Sequence, residues 1–134
     1  MRDTEIKQMR DRELYDTYKQ VLRDGHFTSM RDAAQAAASR PASQFYISAS
    51  EASAHVGKIL SRRSLIDLNY HSRRRAWQLY DMYREYLNEY PQTTLSRERI
   101  MEILVMSPAP EFYLSTDRAK HIIVYEQKKV RQKR

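Results

Sequence analysis

Cysteine is absent from this chain. That excludes disulfides, thiolate metal sites and a cysteine nucleophile, and it suits a reducing compartment. Glycine is nearly absent, Gly25 and Gly57 being the only two in 134 residues. So little glycine argues against a sandwich or barrel built from many tight turns. It also leaves no place for a Gly-x-Gly-x-x-Gly or Walker phosphate loop. No apolar run approaches the roughly 18 residues of a membrane span, so no membrane partner is expected. The opening MRDTEIKQMRDRE alternates in charge and lacks the apolar core of a secretory signal, so a cytoplasmic protein is expected.

What is present points to helices. Apolar residues make up 41% of the chain and charged residues 31%, enough for a packed interior under a strongly charged surface. Ten tyrosines stand against three phenylalanines and one tryptophan. Tyrosine suits a thin core, because its ring buries apolar area while its hydroxyl stays wet. The length fits one ordinary domain or two small ones sharing a core, and one compact domain overall is expected.

The chain also spells one pattern twice. ELYDTYKQVL (Glu13 to Leu22) matches QLYDMYREYL (Gln78 to Leu87) at an offset of 65. SRPASQFYISASEASAHV (Ser39 to Val56) matches MSPAPEFYLSTDRAKHII (Met106 to Ile123) at an offset of 67. Between these anchors Ala33, Ala34, Ala37 and Ala38 fall on Ile100, Met101, Leu104 and Val105. Both quartets occupy one helical face. The expected fold is mainly α: two tandem copies of a helix, helix, short extended piece and helix, related by a pseudo-two-fold axis, with room for a small two-stranded pairing. Residues 1–60 are the first repeat and 61–75 a basic junction leading into the second. Residues 76–127 are the second repeat and 128–134 a basic tail.

Within each copy the boundaries have chemical causes. Leu14, Tyr15, Tyr18, Val21 and Leu22 line one side of the first helix, mirrored by Leu79, Tyr80, Tyr83, Tyr86 and Leu87. Gly25 and Pro91 suit the stops of these helices. Ser29 and Ser96 are N-caps for the second helices, which cannot easily run past Arg40 and Ser107 because a residue before proline is pushed towards extended geometry. Ser48 with Glu51 forms a capping box for the third helix, and Ser115 keeps the cap in the second copy. In the Phe-Tyr pieces, alternation sends one ring inward and its neighbour outward. The Pro-Ala-x-x-Phe-Tyr-x-Ser motif therefore reads first as scaffold. In the sharper reading Tyr46 and Tyr113 face outward and stack on bases or anchor a partner.

The net charge is +7, from 24 basic and 17 acidic residues. The junction carries Arg62, Arg63, Arg73, Arg74 and Arg75 against Asp67, and the tail carries Lys128, Lys129, Arg131, Lys133 and Arg134 with no acid. Without these two segments the chain holds 14 basic and 16 acidic residues, so the positive charge is concentrated. Clustered cations on a near-neutral body are the footprint of a phosphate binder, and arginine favours forked contacts. Solvated ends and helix-flanking solubility charge are the bland alternative. Lys58, Arg118 and Lys120 on the third helices are further candidate contacts. A helix-turn-helix is a poor match, since eight residues separate Arg40 from Ala49 where three or four are usual.

Catalytic signatures are missing. His26, His55, His71 and His121 have no i, i+4 histidine partners, so no metal site and no cofactor are expected. Asp16 and Asp81 recur in Leu-Tyr-Asp beside the tyrosines, and no serine sits in a nucleophile elbow. An enzyme is not expected. The Pro-Ala-Pro-x-Phe-Tyr wording at Pro108 to Tyr113 resembles one found in small proteins of phages and mobile elements of gut bacteria, some of them described as helix-turn-helix-like. The first copy departs from it with Ser43 in place of the second proline. The resemblance implies a mobile-element setting and assigns no residue a role. The expected function is non-enzymatic binding of nucleic acid, DNA in particular, mainly through the phosphate backbone. The competing expectation is a structural or adaptor protein, such as a small virion component, with protein partners or a homo-oligomer.

Overall fold

The computed structural model describes residues 3–133. It is mainly helical, with six helices among the described residues: α1 (Asp3–Asp24), α2 (Met30–Ala38), α3 (Ala49–Leu60), α4 (Tyr70–Glu89), α5 (Arg97–Leu104) and α6 (Thr116–Gln132). Serine starts four of them. The hydroxyls of Ser29, Ser48, Ser96 and Ser115 accept from the backbone N–H groups of Asp32, Glu51, Arg99 and Arg118 at 3.1–3.2 Å. Each cap satisfies one of the donors a helix start leaves unpaired, worth about 1 kcal/mol. Asn69 caps α4 in the same way, accepting from Ser72 at 2.8 Å.

The helices assort into two compact units. Unit 1 holds α1 and α2, the chain as far as Ala42, and the chain from Ala109 through α6. Unit 2 is Ser43–Pro108, with α3, α4 and α5. Packing boundaries thus differ from the expected 1–60 and 76–127. The helix after each Pro-Ala-x-x-Phe-Tyr stretch packs on the helix pair from the other stretch of sequence.

Side-chain size gives the reason. The face of α2 is Ala33, Ala34, Ala37 and Ala38, all buried, and it packs on α6, whose buried residues include Ile122 and Ile123. The face of α5 is Ile100, Met101 and Leu104, and it packs on α3, which offers Ala52, Ser53 and Val56. Small meets large in both units. The opposite assortment would set alanine against alanine and isoleucine against methionine, leaving voids in one core and overfilling the other.

In unit 1 the core is completed by Leu14, Tyr18 and Val21 of α1 with Ala42, Ala109 and Phe112. Leu22, expected on this face, is 46% exposed. Arg31 of α2 pairs with Asp117 at the start of α6, and Arg40 pairs with Asp24 at 3.3 Å. Ala42 and Ala109 exchange two backbone hydrogen bonds at 2.9 and 3.0 Å. The expected two-stranded pairing is reduced to this one antiparallel bridge, and no strand forms among the described residues. Beyond it, the Phe112 N–H donates to the Ala38 carbonyl at 3.0 Å.

In unit 2 the core is Phe45, Ile47, Leu65, Ala76 and Leu79 with the α3 and α5 faces. The Phe45 N–H donates to the Val105 carbonyl at 2.8 Å. Gly57 permits a close approach: the Arg97 guanidinium lies where a Cβ would be 2.7 Å from it, and Arg97 Nε donates to Ser53 Oγ at 3.0 Å.

Neither glycine has a positive φ; the left-handed positions belong to Arg62 and Tyr113, each with φ 57°. Gly25 therefore follows α1 without the left-handed geometry usual in such a stop. At Tyr113 the left-handed backbone breaks the expected alternation. Phe112 and Tyr113 are both buried, so Tyr113 is no surface contact. The helices flanking each Phe-Tyr piece, α2 with α3 and α5 with α6, belong to different units, so neither of these pairs packs as a helix-turn-helix.

Candidate nucleic-acid interface

The junction from α3 to α4 in unit 2 carries five arginines and Asp67. α3 ends in a Schellman turn, in which the Arg62 N–H donates to Ile59 at 3.1 Å and the Arg63 N–H donates to Lys58 at 2.8 Å. The left-handed residue of such a turn is usually glycine, and a side chain there costs about 1 kcal/mol. Here it is Arg62. Both Arg62 and Arg63 are exposed, and among the described residues neither makes an ion pair. Leu65, 9% exposed, pins the loop to the core, and a turn closed by the Leu68 N–H on the Leu65 carbonyl at 2.9 Å leaves Ile66 78% exposed.

α4 then begins without an acid in its first turn, where carboxylates ordinarily offset the helix dipole. Its arginines divide. Arg73 is half-buried and donates to the Leu68 carbonyl at 3.2 Å, holding the turn against the helix. Arg75 is half-buried beside His55. Arg74 is exposed, its guanidinium 5.6 Å from the centre of the Tyr70 ring. His55 itself is buried, and burial pushes its pKa below the ordinary 6.5, with Arg75 and Lys58 adding to the effect and Glu51 opposing it. The Glu51 carboxylate, expected in a capping box, stands 3.8 Å from His55 Nε2.

Sequence reasoning missed the outer face of α4. Tyr70, Arg74, Trp77 and Arg84 recur at helical spacing on one side, and all four are exposed. Tyr70 is 61% exposed and Trp77, the single tryptophan, 51%. Tyr80 flanks this face with its ring edge-on to Trp77 at 5.5 Å, and its hydroxyl accepts from Arg84 Nη1 at 3.1 Å. The i, i+4, i+7 spacing of ring, cation and ring was the available signal. Asp67 in the loop and Asp81, one turn past Trp77, are the exposed acids that flank Arg73, Arg74 and Arg75.

The remaining candidates are dispersed. In unit 1, α6 runs helically to Gln132, so Lys128, Lys129 and Arg131 stand on a helix end; Lys133 is its C-cap, and Arg134 lies outside the described residues. Lys129 is already engaged, 3.4 Å from Glu126 and over the Tyr125 ring. Arg118 and Lys120 are exposed on the same helix. In unit 2, Tyr46 is half-buried with its hydroxyl 3.4 Å from Ser43 Oγ, and Lys58 is half-buried in the last turn of α3. A shallow concavity of about 410 Å³, lined by Tyr86, Glu89, Tyr90, Pro91, Gln92 and Thr93, offers no cation to an anion.

Among the described residues no group of His, Asp and Glu side chains is arranged to hold a metal ion, and no helix is long and apolar enough to cross a membrane. In comparisons with protein-family models, curated proteins and solved structures, the chain matches none.

Proposed function

We propose that the chain is a non-enzymatic nucleic-acid-binding protein of a phage or mobile element, gripping the phosphate backbone of DNA through the α3–α4 junction. One observation carries the reading: Arg62, Arg63 and Arg74 are exposed around a helix start that has no acid in its first turn. Three forked donors and the positive end of a helix dipole are a phosphate site in chemical terms. Arg73 and Arg75 are half-buried, so they support the surface rather than form it. Affinity should fall steeply with salt, and replacing Arg62, Arg63 and Arg74 by alanine should reduce the slope of log K against log salt by about 2–3, close to one for each phosphate no longer gripped. A gel-shift titration at two salt concentrations reads both. Failure to bind at low salt, or a slope unchanged in the triple variant, overturns the proposal.

The same reading treats the chain as a fused pair of copies with exchanged third helices. Support comes from matched hydrogen bonds. Ala42 and Ala109, 67 residues apart, pair with each other, and the bonds Phe45 to Val105 and Phe112 to Ala38 map onto one another under the same offset.

A second reading, a structural or adaptor protein such as a virion component, is favoured by the exposed Ile66, Tyr70 and Trp77, which an interface would cover. Mass measurement in solution separates the two: large oligomers support the assembly component, a discrete small species the nucleic-acid binder.

A further inference from the structure

We infer that the nucleic acid held at the junction is an unpaired strand of DNA, whose bases stack on Tyr70 and Trp77 of α4 while its phosphates meet Arg62, Arg63 and Arg74. The inference rests on the nucleic-acid reading above and narrows it to one substrate class.

The arrangement of rings and cations selects a single strand over a duplex. In a duplex the base faces are covered by their neighbours, so a protein reads only base edges, with polar side chains in the groove. The outer face of α4 offers the opposite chemistry: two large rings, each more than half exposed. Exposed rings interleaved with arginine are the elements of a stacking track, because every unpaired base presents a π-face. Tyr70 and Trp77 are seven residues apart, about 10 Å along the helix axis. Arg74 lies between them in the sequence, over the Tyr70 ring. The rings are also braced. Tyr70 packs edge-on to His71 at 5.2 Å and Trp77 edge-on to Tyr80 at 5.5 Å, so little side-chain freedom is lost when a base arrives. Exposed Asp81 and Glu85 confine the strand to the junction and the first turns of α4. The footprint is therefore short, about four nucleotides, at the small end of single-strand sites.

Trp77 is the single tryptophan among ten tyrosines, so emission excited at the red edge, beyond the tyrosine band, reports this site alone. The experiment compares a short oligo(dT), an abasic strand with the same number of phosphates, and a duplex with the same number of phosphates, all at one low salt concentration. Oligo(dT) should quench Trp77 and bind at least about tenfold more tightly than the abasic strand or the duplex. By polarisation of labelled strands, Trp77→Leu should weaken oligo(dT) binding by about 5- to 100-fold and leave the abasic strand unaffected. Tyr70→Ala should act in the same direction, and circular dichroism establishes that both variants are folded. Equal affinity for the three probes without quenching, or preference for the duplex, overturns the stacking inference and leaves the phosphate reading standing. Absence of binding to any probe overturns both.

Discussion

Exchanging one pair of core residues between the units tests why the helices assort as they do. Ala34 on α2 and Met101 on α5 are both fully buried and stand 67 residues apart. Ala34→Met adds three heavy atoms to an alanine face already filled by the isoleucines of α6, and overpacking of this kind costs about 1–3 kcal/mol. Met101→Ala removes the same three atoms from the face that fills the space over Ala52, Ser53 and Val56, and leaves a cavity costing about 2–5 kcal/mol. For a chain of this size each kilocalorie moves the melting temperature by several degrees. Urea titration followed by far-UV circular dichroism measures both variants, and Trp77 fluorescence follows unit 2, to which Met101 belongs. Methionine at 34 tolerated with a loss below about 0.5 kcal/mol would show that the alanine face is not closely packed. The size argument for the helix assortment would then be wrong.

Two further outcomes follow from single residues. Arg62→Gly should raise stability by about 1 kcal/mol, because glycine takes the left-handed geometry without a Cβ penalty, while weakening oligonucleotide binding; urea midpoints and a binding titration read the two effects in opposite directions. His55 should make stability fall with acid. Its folded pKa lies below the ordinary 6.5, so no penalty exists above that value; as pH drops below 6.5 the unfolded chain binds a proton that the folded chain refuses. Stability declines by up to about 1.4 kcal/mol per pH unit until the folded pKa is reached, and His55→Leu should remove that part of the decline in urea titrations at pH 7.5 and 5.5.

Helix starts and core faces were legible because their causes are local. A serine hydroxyl reaches an N–H three residues on wherever the chain then coils, so Ser29, Ser48, Ser96 and Ser115 could be placed without tertiary information. The alanine face of α2 and the larger face of α5 follow from periodicity in the same way. Which third helix completes which pair was not visible to periodicity, since both assortments bury the same positions. Volume alone distinguishes them, and the contrast between Ala33–Ala38 and Ile100–Val105 was the signal. The left-handed residues were missed for a related reason. Local preference assigns them to glycine, yet the Arg62 N–H donates to Ile59 and the Arg63 N–H to Lys58 at the end of α3, and Tyr113 follows Phe112, whose N–H is tied to Ala38. The α4 rings were overlooked because an aromatic at helical spacing reads as core until its exposure is known.

The two cationic segments, alike in composition, differ in physical standing. Lys129 and Arg131 occupy the last turn of α6, where positive charge offsets the helix dipole, and Lys129 is shared between Glu126 and the Tyr125 ring. That charge is explained by the helix it ends. In the junction Arg62 occupies a position better suited to glycine, and the positive end of α4 receives no acid and gains Arg74. Each of these choices opposes stability, and together they leave cations concentrated and open to solvent. Residues that work against the fold at one place require a reason outside the fold. The phosphate ligand proposed above would supply it, and nothing comparable is needed at the tail. The case for phosphate recognition therefore stands on unit 2 alone.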